Sequence, residues 1–89
     1  MQNKLVLSSL ALDLKRVALG LQRESYRMAE RFTQEVLSRK NEVNRSTLKP
    51  YMRSILEKLD TVLADTDRQK KAEDSLMYST LIQNYVLHN

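Results

Sequence analysis

Cysteine and tryptophan are absent from these 89 residues, histidine occurs once as His88, and glycine and proline occur once each, as Gly20 and Pro50. Without cysteine there is no disulfide staple and no thiolate nucleophile, and a single histidine cannot supply a zinc or haem site that needs two or more Cys or His ligands. One glycine and one proline leave almost no material for tight turns, which argues against an all-β sandwich, a Rossmann unit or a glycine-rich phosphate loop. Long helices are what remain. The apolar fraction of 42% and charged fraction of 29% are those of an ordinary folded domain rather than a disordered segment.

Long apolar runs are missing too. The stretch Leu5 to Leu12 contains two serines and ends at Asp13, far short of the ~20 residues a membrane span needs, so no span is expected. Lys4 followed by LVLSSLAL begins like a secretory signal, but Asp13, Lys15 and Arg16 interrupt it before any small-residue cleavage site. The lack of both cysteine and an export signal favours a cytoplasmic location. The net charge of +4, from fifteen Lys and Arg against eleven Asp and Glu, is compatible with nucleic acid or an acidic membrane without requiring either.

Breaker chemistry clusters at two places, NRS at 44–46 with Pro50 following, and ADTD at 64–67. They divide the chain into three expected helices, at about 4–42, 47–63 and 67–87, within one helical domain covering 1–89. Ser46 is placed to cap the second helix and Pro50 to sit in its first turn, where an amide has no intrahelical acceptor; Asp65 or Thr66 can cap the third. Gly20 is the one candidate break in the first helix. The good helix formers Leu21-Gln22-Arg23-Glu24 follow it, and the apolar stripe Leu7, Leu10, Leu14, Val17, Leu21 continues in phase through Met28, Phe32 and Val36, so the spacing predicts an unbroken rod; a four-helix monomer folded at Gly20 is the alternative.

A second ridge lies on the opposite side of that rod. Leu5, Leu12, Leu19 and Tyr26 repeat every seven residues among Ser8, Ser9, Lys15 and Arg16, as a line of contact surface would. The second helix is a one-sided amphipath built on Leu48, Tyr51, Met52, Ile55, Leu56, Leu59, Val62 and Leu63. The third carries no charge from Ser75 to Leu87, and Met77, Tyr78, Leu81, Ile82 and Tyr85 spread over a broad arc, the pattern of a helix covered on more than one side. At 1.5 Å per residue the rod would span roughly 55–60 Å against roughly 25–30 Å for the other two helices, so a second subunit is expected to cover the remainder.

The expected fold is therefore all-α, a long N-terminal helix plus an antiparallel helical hairpin that forms an oligomeric bundle, with a homodimer as the simplest closure. The oligomer interface is expected at Leu5, Leu12, Leu19, Tyr26, Met77, Tyr78, Leu81, Ile82 and Tyr85. No constellation points to catalysis, a cofactor or a metal. His88 has no Ser or Cys partner at a recognisable spacing, no pair of Glu-x-x-His motifs exists, and Asp65 and Asp67 lack the glycine of a calcium loop. The function expected is that of a protein–protein interaction or regulatory module with a protein partner of unknown identity. The alternative partner is nucleic acid, contacted by Arg16, Arg23, Arg27 and Arg31 on adjoining parts of one face; Glu24, Glu30 and Glu35 sit at pairing distance from that row.

Overall fold

The computed structural model describes residues 3–88, and in it the chain is all-helical: α1 (Asn3–Gln22), α2 (Tyr26–Lys40), α3 (Pro50–Ala64) and α4 (Arg68–His88), with a 3₁₀ turn at Arg45–Thr47. Among the described residues there is no strand. The breaks after residue 40 and at 65–67 fall where the breaker clusters place them. Pro50 occupies the first turn of α3. The expected Ser46 cap is not made: α3 begins after Lys49 with no side-chain cap, and Asn44 instead caps the 3₁₀ turn, its Oδ1 accepting from the backbone N–H and the hydroxyl of Ser46. At the start of α4, Asp67 caps through Oδ1, which accepts from Lys70 N–H at 3.1 Å, while Asp65 Oδ1 holds Asp67 N–H at 2.9 Å.

The predicted rod is two helices. α1 ends in a Schellman motif in which Ser25 N–H donates to Gly20 C=O at 2.7 Å and Glu24 N–H donates to Leu21 C=O at 3.2 Å. The left-handed residue this motif requires is Glu24, with φ of 58°, so the position usually held by glycine carries a side chain. Gly20 serves a different purpose. A Cβ placed on it would stand 2.9 Å from Ala29 N and 3.2 Å from Ala29 Cα, so its bare backbone is what lets α2 fold down onto α1. Helix propensity through Leu21–Glu24 is outweighed because the folded-back α2 buries Ala29, Thr33, Val36 and Lys40 against the rest of the chain. Substituting Glu24→Gly is expected to stabilise the protein by about 0.5–1 kcal/mol. The relieved left-handed strain of roughly 1–2 kcal/mol exceeds the added unfolded-state entropy of roughly 0.4–1 kcal/mol, and the urea midpoint measures the difference.

α1 packs against both α2 and α4, and α3 closes the bundle mainly against α4. Leu7, Leu10, Leu14 and Val17 of α1 meet Val36 of α2, Met52, Leu56 and Leu59 of α3 and Ile82 of α4 in one core cluster. This is the stripe the spacing predicts for each half, although Tyr51, expected on the buried arc of α3, is exposed. The α1–α4 contact is built from small residues: α4 buries Ala72, Ser75 and Ser79 with Ile82, and Ser79 Oγ donates to Ala11 C=O at 2.6 Å. Ser75 Oγ is wholly buried with no hydrogen-bond partner. Ser75→Ala, which deletes that desolvated hydroxyl and little else, is expected to stabilise by about 1 kcal/mol and to shift the thermal midpoint upward.

Two ionic ties fix the helices laterally. Arg39 Nε donates to the buried Asp13 carboxylate at 2.7 Å, with Arg16 at 3.4 Å on its other oxygen, and Lys40 Nζ reaches Asp60 at 2.6 Å. The resulting body has a surface of 5606 Å², close to the ~5400 Å² that size scaling gives a free-standing folded monomer of 10.4 kDa. The 55–60 Å rod on which the expected second subunit rests is absent, because α1 ends at Gln22 and α2 folds back from Tyr26.

Candidate contact surface

The leucine ridge stays outside. Leu5 is 65% and Leu12 47% exposed, and Leu19 is half-buried, although the same helix hides Leu7, Leu10 and Leu14 almost completely. The two sets lie on opposite sides of α1, and a heptad repeat drifts only ~20° per step, so Leu5, Leu12 and Leu19 hold one outward line. Beside it runs the outward row of α4, Leu76, Thr80, Gln83 and Leu87, all exposed and none charged. A groove of ≈ 240 Å³ lies between the two helices, lined by Ser8, Ala11, Leu12 and Lys15 of α1 and by Ser79, Gln83, Val86 and Leu87 of α4, so Leu12 of one row and Gln83 and Leu87 of the other reach it. Leu87, at 70% exposure, stands at its edge. Sequence spacing finds the α1 half of this surface; it misses Leu76 and Leu87, whose scattering outside the main arc of α4 is itself the signal of a second, outward face.

The remaining residues expected at an interface separate into three groups. Tyr26 leaves the ridge, because the break at residues 23–25 carries it onto α2, where Arg68 lies over its ring at 3.9 Å from the centroid. Ile82 is fully buried in the chain's own core, with Tyr78 and Tyr85 packed against it, so Ile82 is corrected from interface to core. Tyr85 meets Tyr51 edge-on at 5.7 Å and its hydroxyl accepts from Lys49 N–H at 3.3 Å. Met77 and Leu81 are exposed, at helical positions turned away from the row of Leu76 and Leu87.

The arginine row is divided by the same break. Arg16 remains on α1, held by Asp13 and set over the Phe32 ring at 5.2 Å, while Arg31 of α2 covers that ring at 5.6 Å. Arg23 lies in the α1–α2 joint and Arg27 on α2, both exposed. Half of the row is thus engaged with an aromatic ring. A further cleft of ≈ 650 Å³ joins the α1–α2 joint to the α3–α4 turn, and Asp65, Asp67, Glu30, Arg68 and Lys71 around it are of mixed sign.

Among the described residues no group of three or more His, Cys, Asp or Glu is placed to hold a metal ion. No described helix is long and apolar enough to cross a membrane. Comparison with family models, curated proteins and solved structures gives no match.

Proposed function

We propose that this chain is a non-catalytic protein-contact module that self-associates through the outer face of α1 and α4. One observation carries the reading: two adjacent helices expose Leu5, Leu12, Leu76 and Leu87 on one side of a body whose core is already closed without them. Scattered exposed leucines need no explanation, but exposed leucines on two neighbouring helices beside one groove support an association surface. In the same reading α3 and α4 form an antiparallel hairpin. The meeting of Tyr51, at the start of α3, with Tyr85, near the end of α4, supports that direction.

The test is mass as a function of concentration. Light scattering from ~10 µM to ~1 mM is expected to show the wild type rising above 10.4 kDa. Leu5→Lys combined with Leu12→Lys is expected to hold it at that mass with unchanged helical circular dichroism, because both side chains are outside the core. A wild type that remains at monomer mass throughout would sink the self-association reading.

A further inference from the structure

We infer that the α1–α2 joint is a hinge with a second state, in which α1 and α2 straighten into one continuous helix and α1 docks in the place of α1 on a second copy, giving an exchanged dimer. This exchange uses surfaces buried within the single chain and needs nothing of the outer leucine face. Helices commonly end at glycine, with proline soon after, but residues 21–28 contain neither. Leu21, Gln22, Arg23 and Glu24 are good helix formers, and Ser25 makes no side-chain cap for α2. The turn is held instead by Glu24 in the left-handed region, φ 58°, a strain that straightening relieves.

Straightening also costs the joint no backbone hydrogen bond. In the hairpin Ser25 N–H donates to Gly20 C=O and Glu24 N–H to Leu21 C=O. In a continuous helix the same four groups exchange partners, Glu24 N–H pairing with Gly20 C=O and Ser25 N–H with Leu21 C=O, at regular i to i−4 spacing. The first-turn amides of α2, which have no intrahelical acceptor, gain the carbonyls of Gln22, Arg23 and Glu24.

The core dictates what the opened chain meets. Moving α1 away splits the cluster that joins Leu7, Leu10 and Leu14 to Val36, Met52 and Ile82, and apolar surface so uncovered is driven out of water. The surface already shaped to receive each half is the matching half of another copy. Among the described residues the joint is the only covalent link between α1 and the elements after it, so α1 exchanges as a unit. Each lobe then repeats the monomer. The Ser79 to Ala11 bond at 2.6 Å and the Arg39–Asp13 pair at 2.7 Å form between chains instead of within one. With every other contact the same, the conformation of the joint and the protein concentration set the balance between the two states.

Two joint variants test the hinge, each made in the Leu5→Lys, Leu12→Lys background so that the outer face takes no part. Glu24→Gly favours the left-handed turn, and Glu24→Ala combined with Ser25→Ala favours the straight helix. Each is unfolded in urea, refolded at ~1 mM, diluted to ~10 µM and measured by size exclusion with light scattering. The alanine pair is expected to yield a dimer of twice 10.4 kDa that outlasts dilution, because return requires α1 to leave its lobe. Its dimer fraction is expected to be at least about ten times that of Glu24→Gly. The absence of natural cysteine allows spin labels at Arg16→Cys and Arg31→Cys, read in labelled chains mixed with excess unlabelled ones. In the hairpin both arginines cover the Phe32 ring, at 5.2 Å and 5.6 Å; along one helix the two positions stand ~22 Å apart. The longer distance is expected in the dimer fraction. Monomer mass for the alanine pair, equal dimer fractions for the two joint variants, or a dimer that keeps the short distance would each overturn the exchange. None of these outcomes bears on self-association through the outer face, which is measured with Leu5 and Leu12 intact.

Discussion

Gly20→Ala is expected to destabilise the protein by about 1–2 kcal/mol net, and the sign of the change is as informative as its size. In the interior of a solvated helix the same substitution stabilises by roughly 0.5–1 kcal/mol, because alanine loses less backbone freedom on folding. Here the added methyl would stand 2.9 Å from the amide nitrogen of Ala29 and 3.2 Å from its Cα and Cβ. The obstacle is mostly backbone and cannot swing aside as a flexible side chain would. α2 must lift away from α1, and overpacking of this kind costs typically 1–3 kcal/mol, which exceeds the propensity gain. Gly20→Val, with a larger branched side chain, is expected to lose more. Urea denaturation followed by helical circular dichroism measures both. A rise in stability for Gly20→Ala would mean that the α1–α2 hairpin is not the folded form.

The same glycine explains which parts of the fold were legible in the sequence. Helical class, the breaks near 44–50 and 64–67 and the one-sided burial of Met52, Leu56 and Leu59 follow from composition and period, because local breakers and amphipathic phase act where they are written. The joint at residues 23–25 does not. Its stop signal is a left-handed Glu24, a residue type with no preference for that conformation, and Gly20 acts across the hairpin rather than along the helix. Whether α1 and α2 continue or fold back is decided by burial of Ala29, Thr33 and Val36 on other elements, a tertiary term that a helical wheel does not contain. Tyr26, in phase with the ridge by spacing, consequently lies beyond the end of α1. Likewise the charge-free stretch of α4 predicts cover on several sides, whereas one side packs through small residues within this chain and the other is exposed.

Leu14→Ala is expected to cost about 2–5 kcal/mol, the range for emptying a fully buried leucine site. Leu14 is 0% exposed and lies in the middle of α1, the helix that packs against both α2 and α4, so neighbours on several sides would have to move to refill the space. For a chain of this length, total stability of roughly 0.05–0.15 kcal/mol per residue makes that loss a large share of the whole. Leu12→Ala supplies the contrast, since the same chemical deletion two residues away removes atoms that already face water. Its effect on unfolding of the monomer at low concentration is expected to lie within about 0.5 kcal/mol, the range of ordinary surface substitutions, while the tendency to associate at high concentration falls. The two variants therefore separate the functions of the two sides of one helix. In the proposed self-association, Leu14 sets whether the chain folds and Leu12 whether folded chains meet. Equal losses from the two substitutions at low concentration would show that Leu12 is covered within a single chain, which would remove the contact surface together with the association drawn from it.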